Sequence, residues 1–239
     1  MANRTSGTSN EPTRRERYRA ETLAEIKVRA LAHMTRDGIG ALSLNAIANE
    51  MGMTGPALYR YIDSRDELLT MLIADGFTSL AGYLEAAEAE PAESAADRMS
   101  KVSRAYRQWA LEHTTEFGLV FGDPIPGFAA PQDGPTVEAN LRAMSALARS
   151  FAAMWRESGG RAAPGVVSPS LAKGLLEGAG QVIEGLPPEA LAEMMGSWSR
   201  LHGVVTLEVW GHLVYAVGDV DAYFEYELSA CQQRAGVAP

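Results

Sequence analysis

The sequence has a single cysteine, Cys231, among 239 residues, so no disulfide can form within the chain. It also has no run of eighteen apolar residues, the length that a membrane-spanning helix needs. Its first twenty residues are polar and lack the apolar stretch of a secretory signal peptide. These absences argue against a disulfide-stapled or membrane protein, and we expect a cytoplasmic one.

Alternating apolar and polar residues, the pattern of a half-buried strand, are also missing over any useful length. The chain is nevertheless 46% apolar, which is enough to bury a substantial core. Its apolar residues recur instead every three or four positions, as on one face of a helix. The sequence therefore predicts an all-α protein of about nine helices.

Positive charge is scarce outside the N-terminal quarter of the chain. Residues 1–65 contain ten Lys and Arg against seven Asp and Glu, a net charge of +3. The remaining residues contain eleven against twenty-three, a net charge of −12. Only the N-terminal part could approach a polyanion without net repulsion.

The helical periodicity suggests three segments. Residues 1–13 are polar without any apolar period, and we expect a flexible arm. Residues 14–63 fit a small DNA-binding domain of three helices. Residues 64–239 begin with a Ser64–Glu67 capping box and a long helix, and continue with apolar helical stripes.

Two short helices joined by a sharp turn are predicted around residues 43–62. Ser43 is a good N-cap, and Gly52 can adopt the left-handed conformation that ends a helix. Thr54 is expected to cap the second helix, where Pro56 lies in the first turn and loses no hydrogen bond. A buried Ala48 between the helices completes the pattern of a helix-turn-helix, whose second helix reads the major groove.

The run 43–69, SLNAIANEMGMTGPALYRYIDSRDELL, resembles the signature of the tetracycline-repressor (TetR) family of regulators. The resemblance covers residues 16–73, and Trp198, His202-Gly203, Leu207-Glu208 and Gly211-His212 resemble one C-terminal type in that family. It implies a helical homodimer that binds a palindromic operator in double-stranded DNA and releases it when a small molecule enters the C-terminal domain. It implies neither a cofactor nor a metal.

When the DNA-binding roles of the family are assigned to the matching positions of this sequence, the resemblance implies these DNA-binding residues: Ser43, Thr54, Gly55, Pro56, Ala57, Tyr59, Arg60, Tyr61 and Arg65. Arg60 is also a candidate for a bidentate contact with guanine. Tyr59 and Tyr61 cannot both point inward from one helix, so at least one is expected to reach DNA. Ser43 and Thr54 can instead be helix caps alone. The family more often has Lys at position 65, but Arg65 keeps the charge.

The C-terminal stripes contain many aromatic and Met residues, which suit a cavity for a small apolar ligand. The candidate ligand-binding residues are Tyr106, Trp109, His113, Met144, Trp155, Glu177 and Gln181. Glu177 and Gln181 stand four residues apart on an otherwise apolar predicted helix, Ser170 to Ile183, and are expected to share a face. The candidate dimer interface, formed by the last two helices, consists of Leu201, Val205, Val209, Trp210, Tyr223 and Tyr226.

The sequence supports two enzyme alternatives less well than it supports a regulator. Ser170 and Lys173 match the S-x-x-K pattern of penicillin-recognising enzymes, but the companion motifs are absent from the sequence. Glu208 and His212, with His202 nearby, could bind a metal, yet they form no HExxH motif. We therefore expect no enzyme activity. A third alternative keeps DNA binding but gives the C-terminal part a dimerisation role alone.

Overall fold

The structure is a computed structural model that describes residues 13–131, 133–160 and 165–238. Over these ranges it is all helical, with eleven α-helices, two short 3₁₀ helices and no strand. No helix in the described ranges is long and apolar enough to cross a membrane. The described residues form two compact units, and the first comprises the residues up to Leu69 together with Pro124–Ala129. The all-helical prediction is confirmed.

Four α-helices and one 3₁₀ helix begin the chain: α1 Arg14–Asp37, the 3₁₀ helix Ile39–Ala41, α2 Leu44–Glu50, α3 Gly55–Leu58 and α4 Arg65–Ala89. The first turn of α4 belongs to the first unit and the remainder to the second. The core of the first unit is formed by Ile62, in the turn after α3, and by buried residues of all four helices: Ile26, Ala30, Met34, Ile47, Ala48, Leu58, Leu68 and Leu69.

The second unit contains the later helices: α5 Ala95–Glu112, α6 Thr114–Phe121, α7 Pro135–Glu157, α8 Pro169–Glu177, α9 Pro188–Val209, α10 Val214–Val217 and α11 Val220–Arg234. Helix α5 packs on α7 and α9, and α9 packs on α11. The largest side chains that are fully buried in this unit are those of Trp109, Phe117, Phe151 and Phe224.

Thr13 caps the start of α1, although the sequence pattern predicted that this residue belongs to a flexible arm. Its hydroxyl accepts a hydrogen bond from the backbone N–H of Glu16 at 3.2 Å. The Glu16 carboxylate accepts one from the N–H of Thr13 at 2.6 Å, which completes a capping box. The T-x-x-E pattern of a capping box is visible in the sequence and could have predicted this start of α1. Residues 1–12 of the predicted arm lie outside the described residues.

Two predicted helices are each divided by glycine. The helix predicted from Ser170 to Ile183 ends at Glu177, and after Gly178 the chain continues as a 3₁₀ helix, Ala179–Gln181. The helix predicted from Pro187 to Tyr215 ends at Val209, because Gly211 adopts a φ of +73° that a regular helix cannot contain. The apolar period continues past both breaks, so periodicity alone extended these helices too far.

Two reciprocal ion pairs join α9 to α11. Arg200 of α9 donates to Glu227 of α11 at 2.8 Å, and Arg234 of α11 donates to Glu193 of α9 at 2.9 Å. Both carboxylates are buried while both arginines remain partly exposed. Because charge-assisted hydrogen bonds to buried carboxylates are strong, these pairs hold the two helices in one arrangement.

Candidate functional site

The turn between α2 and α3 is built from local backbone hydrogen bonds. Ser43 caps α2 by accepting from the N–H of Ala46 at 3.3 Å. At the other end Gly52 has a φ of +65° and donates to the carbonyl of Asn49, while Met53 donates to that of Ala48. This pair of bonds is the Schellman motif, which ends a helix in an abrupt change of direction. The predicted helix-turn-helix is therefore present.

Helix α3 and the turn that follows it present an exposed surface. Thr54 occupies the N-cap position, but its side chain makes no capping hydrogen bond, contrary to the cap predicted for it. Thr54, Pro56, Tyr59 and Arg60 are exposed, and the Tyr59 ring is 48% accessible. The α-helix ends at Leu58, and hydrogen-bonded turns continue to Ile62. These four side chains are free to meet a groove of DNA.

Two of the predicted DNA contacts already have partners inside the first unit. The Tyr61 ring lies beneath the Arg19 guanidinium, whose carbon is 5.6 Å from the ring centroid, and Arg19 also donates to the Arg60 carbonyl at 2.7 Å. Arg65 donates to the carbonyl of Leu42 at 3.2 Å. Tyr61 thus links the turn after α3 to α1, and Arg65 links the start of α4 to the residue before the Ser43 cap, while Tyr59 faces solvent.

The second unit contains a cavity of about 350 Å³. Its wall is formed by α5, α6, α7, α9 and the residues around the second 3₁₀ helix. The apolar lining residues are Met99, Phe121, Met144, Leu147, Ala148, Phe151, Ala179, Val182, Met194, Met195, Trp198 and Leu201. The remaining lining residues are Ser103, Tyr106, Asn140, Ser197 and His202, so the described lining contains no charged side chain. Such a space suits a small, mainly apolar molecule.

A polar pair crosses the cavity wall from α5 to α9. The Tyr106 hydroxyl lies 2.6 Å from Nδ1 of His202, whose ring stacks on Trp198 with centroids 4.9 Å apart. Burial raises the pKa of Tyr106 and lowers that of His202, so both groups are neutral near pH 7. The pair is an uncharged hydrogen bond within an aromatic wall.

Two family models match the chain. The model described as bacterial regulatory proteins of the tetR family matches residues 28–72. The model described as the tetracyclin repressor-like C-terminal domain matches residues 99–231, more than half of the chain. The chain belongs to the TetR family. It is thus a DNA-binding transcriptional regulator, and the matched N-terminal region contains α2 and α3.

Relatives of this TetR-family protein are regulators as well. The transcriptional regulators Rv1816 of Mycobacterium tuberculosis and Mb1846 of Mycobacterium bovis are each 42% identical to it over 97 residues. That match covers 40% of this chain and spans only 42% of the length of each relative. Rv0681 of Mycobacterium tuberculosis, an uncharacterized regulator, is 27% identical over 198 residues, 82% of this chain and 72% of that protein.

Solved structures share the fold over nearly the whole length. SCO4313, described as a regulatory protein, is 38% identical and has a TM-score of 0.75, with 92% of this chain and 98% of that chain covered. A tetR-family regulatory protein from Rhodococcus RHA1 is 14% identical with a TM-score of 0.64, covering 92% and 99% of the two chains. The second likeness concerns the fold alone.

The cavity includes two of the seven predicted ligand-binding residues, Tyr106 and Met144. Trp109 is fully buried beside it, stacks on His113 and donates to the Ser79 hydroxyl at 3.1 Å. Trp155 packs against an apolar cluster that includes Met99 and Phe151 of the cavity wall, but it does not line the cavity itself.

Glu177 and Gln181 are exposed, and the prediction that they share a helical face is wrong, because α8 ends at Glu177. Glu177 faces solvent and forms an ion pair with Lys173 at 3.7 Å. Neither residue belongs to the cavity lining.

Trp198 and His202 are the main residues that the sequence-based list lacked. They stand four residues apart on α9, which is the spacing of residues that share a helical face. This spacing could have predicted from the sequence that they line the same surface. Phe121 completes the wall, with its ring centroid 5.1 Å from that of His202. Its place at the end of α6 gave no periodic signal, because α6 is only eight residues long.

The predicted dimer interface divides into buried and exposed residues. Leu201 and Val205 are buried within the subunit, so their assignment to a partner surface is wrong. Val209 and Tyr223 are half-buried, whereas Trp210 and Tyr226 are 48% and 67% exposed. The sequence could not distinguish the buried from the exposed residues because α9 is apolar on more than one side.

The groups of the enzyme alternatives are used in other contacts. Both oxygens of Glu208 accept hydrogen bonds from Arg107, at 2.6 and 2.7 Å. His202 is bonded to Tyr106, and Lys173 pairs with Glu177. Among the described residues, no group of three or more His, Cys, Asp or Glu side chains is placed to hold a metal ion.

The pH dependence of stability tests the burial of His202. Because its pKa is lower in the folded protein, acid protonates the unfolded chain first, starting near the ordinary value of about 6.5. The free energy of unfolding should therefore fall as the pH drops below about 6.5. We expect the wild type to lose more stability than His202→Gln between about pH 7 and pH 5, measured by urea denaturation.

The exposed His212 provides the control for this measurement. His212→Gln removes an imidazole from the surface and leaves the cavity wall intact. Parallel stability curves for the wild type and His202→Gln across this pH range would contradict the buried, neutral imidazole.

Proposed function

We propose that this TetR-family protein is a homodimeric repressor that leaves a palindromic operator when a small, mainly apolar molecule occupies the cavity of its second unit. The cavity is the observation that carries the sensing role. Its volume of about 350 Å³ lies within the range of small-molecule sites, roughly 300 to 1,000 Å³. Its aromatic and Met lining suits an apolar ligand of modest size.

The exposed side chains at both ends of α3 support the role of this segment in reading the operator. Thr54, Tyr59 and Arg60 offer hydroxyl and guanidinium donors, and α3 follows a turn of defined geometry. We assign base contact to Arg60 and phosphate contact to Tyr59, with Ser43, Gly55, Pro56 and Ala57 supporting the approach of the backbone. The protein acts in the cytoplasm, where its operator is.

An outward stripe on α9 and α11 supports dimerisation, and we name it the partner face: Gly203, Leu207, Tyr223 and Tyr226. Leu207 and Tyr226 are 44% and 67% exposed, and the Tyr223 and Tyr226 rings stack 6.3 Å apart. A Cβ added at Gly203 would meet nothing within 4 Å in its own subunit. A helical glycine with no internal packing role is consistent with a second chain approaching closely there.

Dimerisation is part of the reading mechanism. Two recognition segments held by a two-fold axis match two half-sites about 34 to 36 Å apart. Release requires that the ligand bind the DNA-free dimer more tightly than the DNA-bound dimer, since only such a difference shifts the equilibrium.

The test begins with a footprint of the purified protein on DNA around its own gene. A protected inverted repeat supports the regulator, and a failure to retard any DNA sequence-specifically overturns it. A library of apolar compounds is then screened for thermal stabilisation and for loss of operator retardation. A compound that does both supports sensing, whereas the absence of any such compound supports a dimer without a ligand.

A further inference from the structure

The cavity wall provides no partner for a charged ligand. The nearby charged residues are already paired: Glu193 of α9 accepts from Arg234 at 2.9 Å, and Arg107 of α5 binds Glu208 at 2.7 Å. Neither pair belongs to the lining. A carboxylate or ammonium group on a ligand would lose its hydration there without gaining an opposite charge, which is costly.

The wall contains two buried hydroxyls, those of Ser103 and Ser197, that form no close hydrogen bond with any described residue. The Ser103 side chain lines the cavity, is 2% exposed, and its Oγ forms no hydrogen bond with any described residue. Buried hydroxyl groups are ordinarily satisfied, so an orphaned one at a cavity wall indicates a polar group of a ligand. Ser103 lies one turn before Tyr106 on α5, and the two residues share the helical face that lines the cavity.

Tyr106 and His202, two of the other polar residues of this wall, are already bonded to each other, since the Tyr106 hydroxyl lies 2.6 Å from Nδ1 of His202. Of the two unpartnered hydroxyls, that of Ser197 has the Cys231 thiol of α11 as a polar neighbour. Ser103 stands on the cavity-lining face of α5 beside Tyr106, and we take its hydroxyl as the one that meets a ligand.

We propose that the cavity takes an uncharged, mainly hydrocarbon ligand bearing a hydroxyl group, and that this group hydrogen-bonds to Ser103. The proposal rests on the function proposed above, in which the cavity is the sensing site. The aromatic rings of Phe121, Phe151 and Trp198 contact the hydrocarbon part of the ligand.

Four probes that share the naphthalene ring system test the chemical class of the ligand: naphthalene, 2-naphthol, 2-naphthoate and the 2-naphthylmethylammonium ion. Calorimetric titration of the wild-type protein at neutral pH is expected to rank 2-naphthol above naphthalene. Both charged probes should bind at least about 100-fold more weakly than 2-naphthol, because each buries an unpaired charge. A charged probe that binds as tightly as 2-naphthol overturns the proposal, and so does the failure of both uncharged probes to bind.

Ser103→Ala tests the residue itself. The variant should weaken 2-naphthol binding about 3- to 10-fold and change naphthalene binding less than about 2-fold. Ser150→Ala is the matched control, because Ser150 is also a buried hydroxyl without a partner among the described residues but does not line the cavity. An equal effect of Ser103→Ala on both probes overturns the assignment.

The operator-retardation assay distinguishes the proposal that the protein senses a ligand from the proposal that this ligand is uncharged and bears a hydroxyl group. A charged compound that fills the cavity and releases DNA contradicts the uncharged class and leaves sensing intact. Preferential binding of 2-naphthol that depends on Ser103 but leaves every operator complex intact contradicts sensing and supports the ligand class.

Discussion

Gly203→Leu is expected to convert the proposed dimer to a monomer and to lower operator affinity at least about 100-fold. The larger side chain projects from the partner face, where it separates the two subunits, while its Cβ meets nothing within 4 Å in its own chain. The avidity gained by joining two half-site contacts is about 10² to 10⁴, and a monomer loses it. Sedimentation velocity and operator titration measure the two effects.

Gly82→Leu is the matched control for this substitution. Gly82 is also a helical glycine, in α4, whose added Cβ meets nothing within 4 Å, but it lies outside the partner face. This variant should remain dimeric and bind the operator normally. Retention of the dimer by Gly203→Leu at micromolar concentration would place the interface elsewhere on the subunit.

Arg60→Ala should weaken binding to the operator about 5- to 150-fold for each half-site. A bidentate pairing of arginine with guanine contributes roughly 1 to 3 kcal/mol of discrimination. Within the first unit the Arg19 hydrogen bond uses the carbonyl of Arg60, not its side chain, so the truncation leaves that bond in place. Titration of the variant with the operator and with single-base variants of it measures the loss of specificity.

Arg29→Ala provides the comparison, since Arg29 is an exposed arginine of α1 that pairs with Glu25 at 3.4 Å. Its removal is expected to change operator and non-specific affinity by the same small factor. If Arg60→Ala also lowers both affinities equally, Arg60 contacts phosphate and the base is read by another residue.

The helix-turn-helix was predictable because its signals are local. A cap at Ser43, a left-handed Gly52 and Pro56 in the first turn of α3 each act within four residues of chain. The signature that the sequence shares with the TetR family lies in the same segment, and the family match confirms it. The domain boundary at residue 64 and the DNA contacts themselves stay predictions.

The cavity was less predictable because it depends on which faces of distant helices converge. Periodicity correctly placed Trp109 and Trp155 on apolar faces, yet neither lines the cavity, and Trp155 packs against a cluster that shares Met99 and Phe151 with the cavity wall. Tyr106 lines the cavity because α9 brings His202 within 2.6 Å of it, across 96 residues of sequence. No property of either residue alone distinguishes it from its neighbours.

Helix α9 has two opposed sides, and this has a mechanical consequence. Trp198 and His202 line the cavity, whereas Gly203 and Leu207 lie on the partner face. The ion pairs to α11 oppose any movement of α9 by itself. In the proposed dimer, a molecule that pushed His202 outward would displace both helices together, and the separation of the two subunits would then follow how full the cavity is.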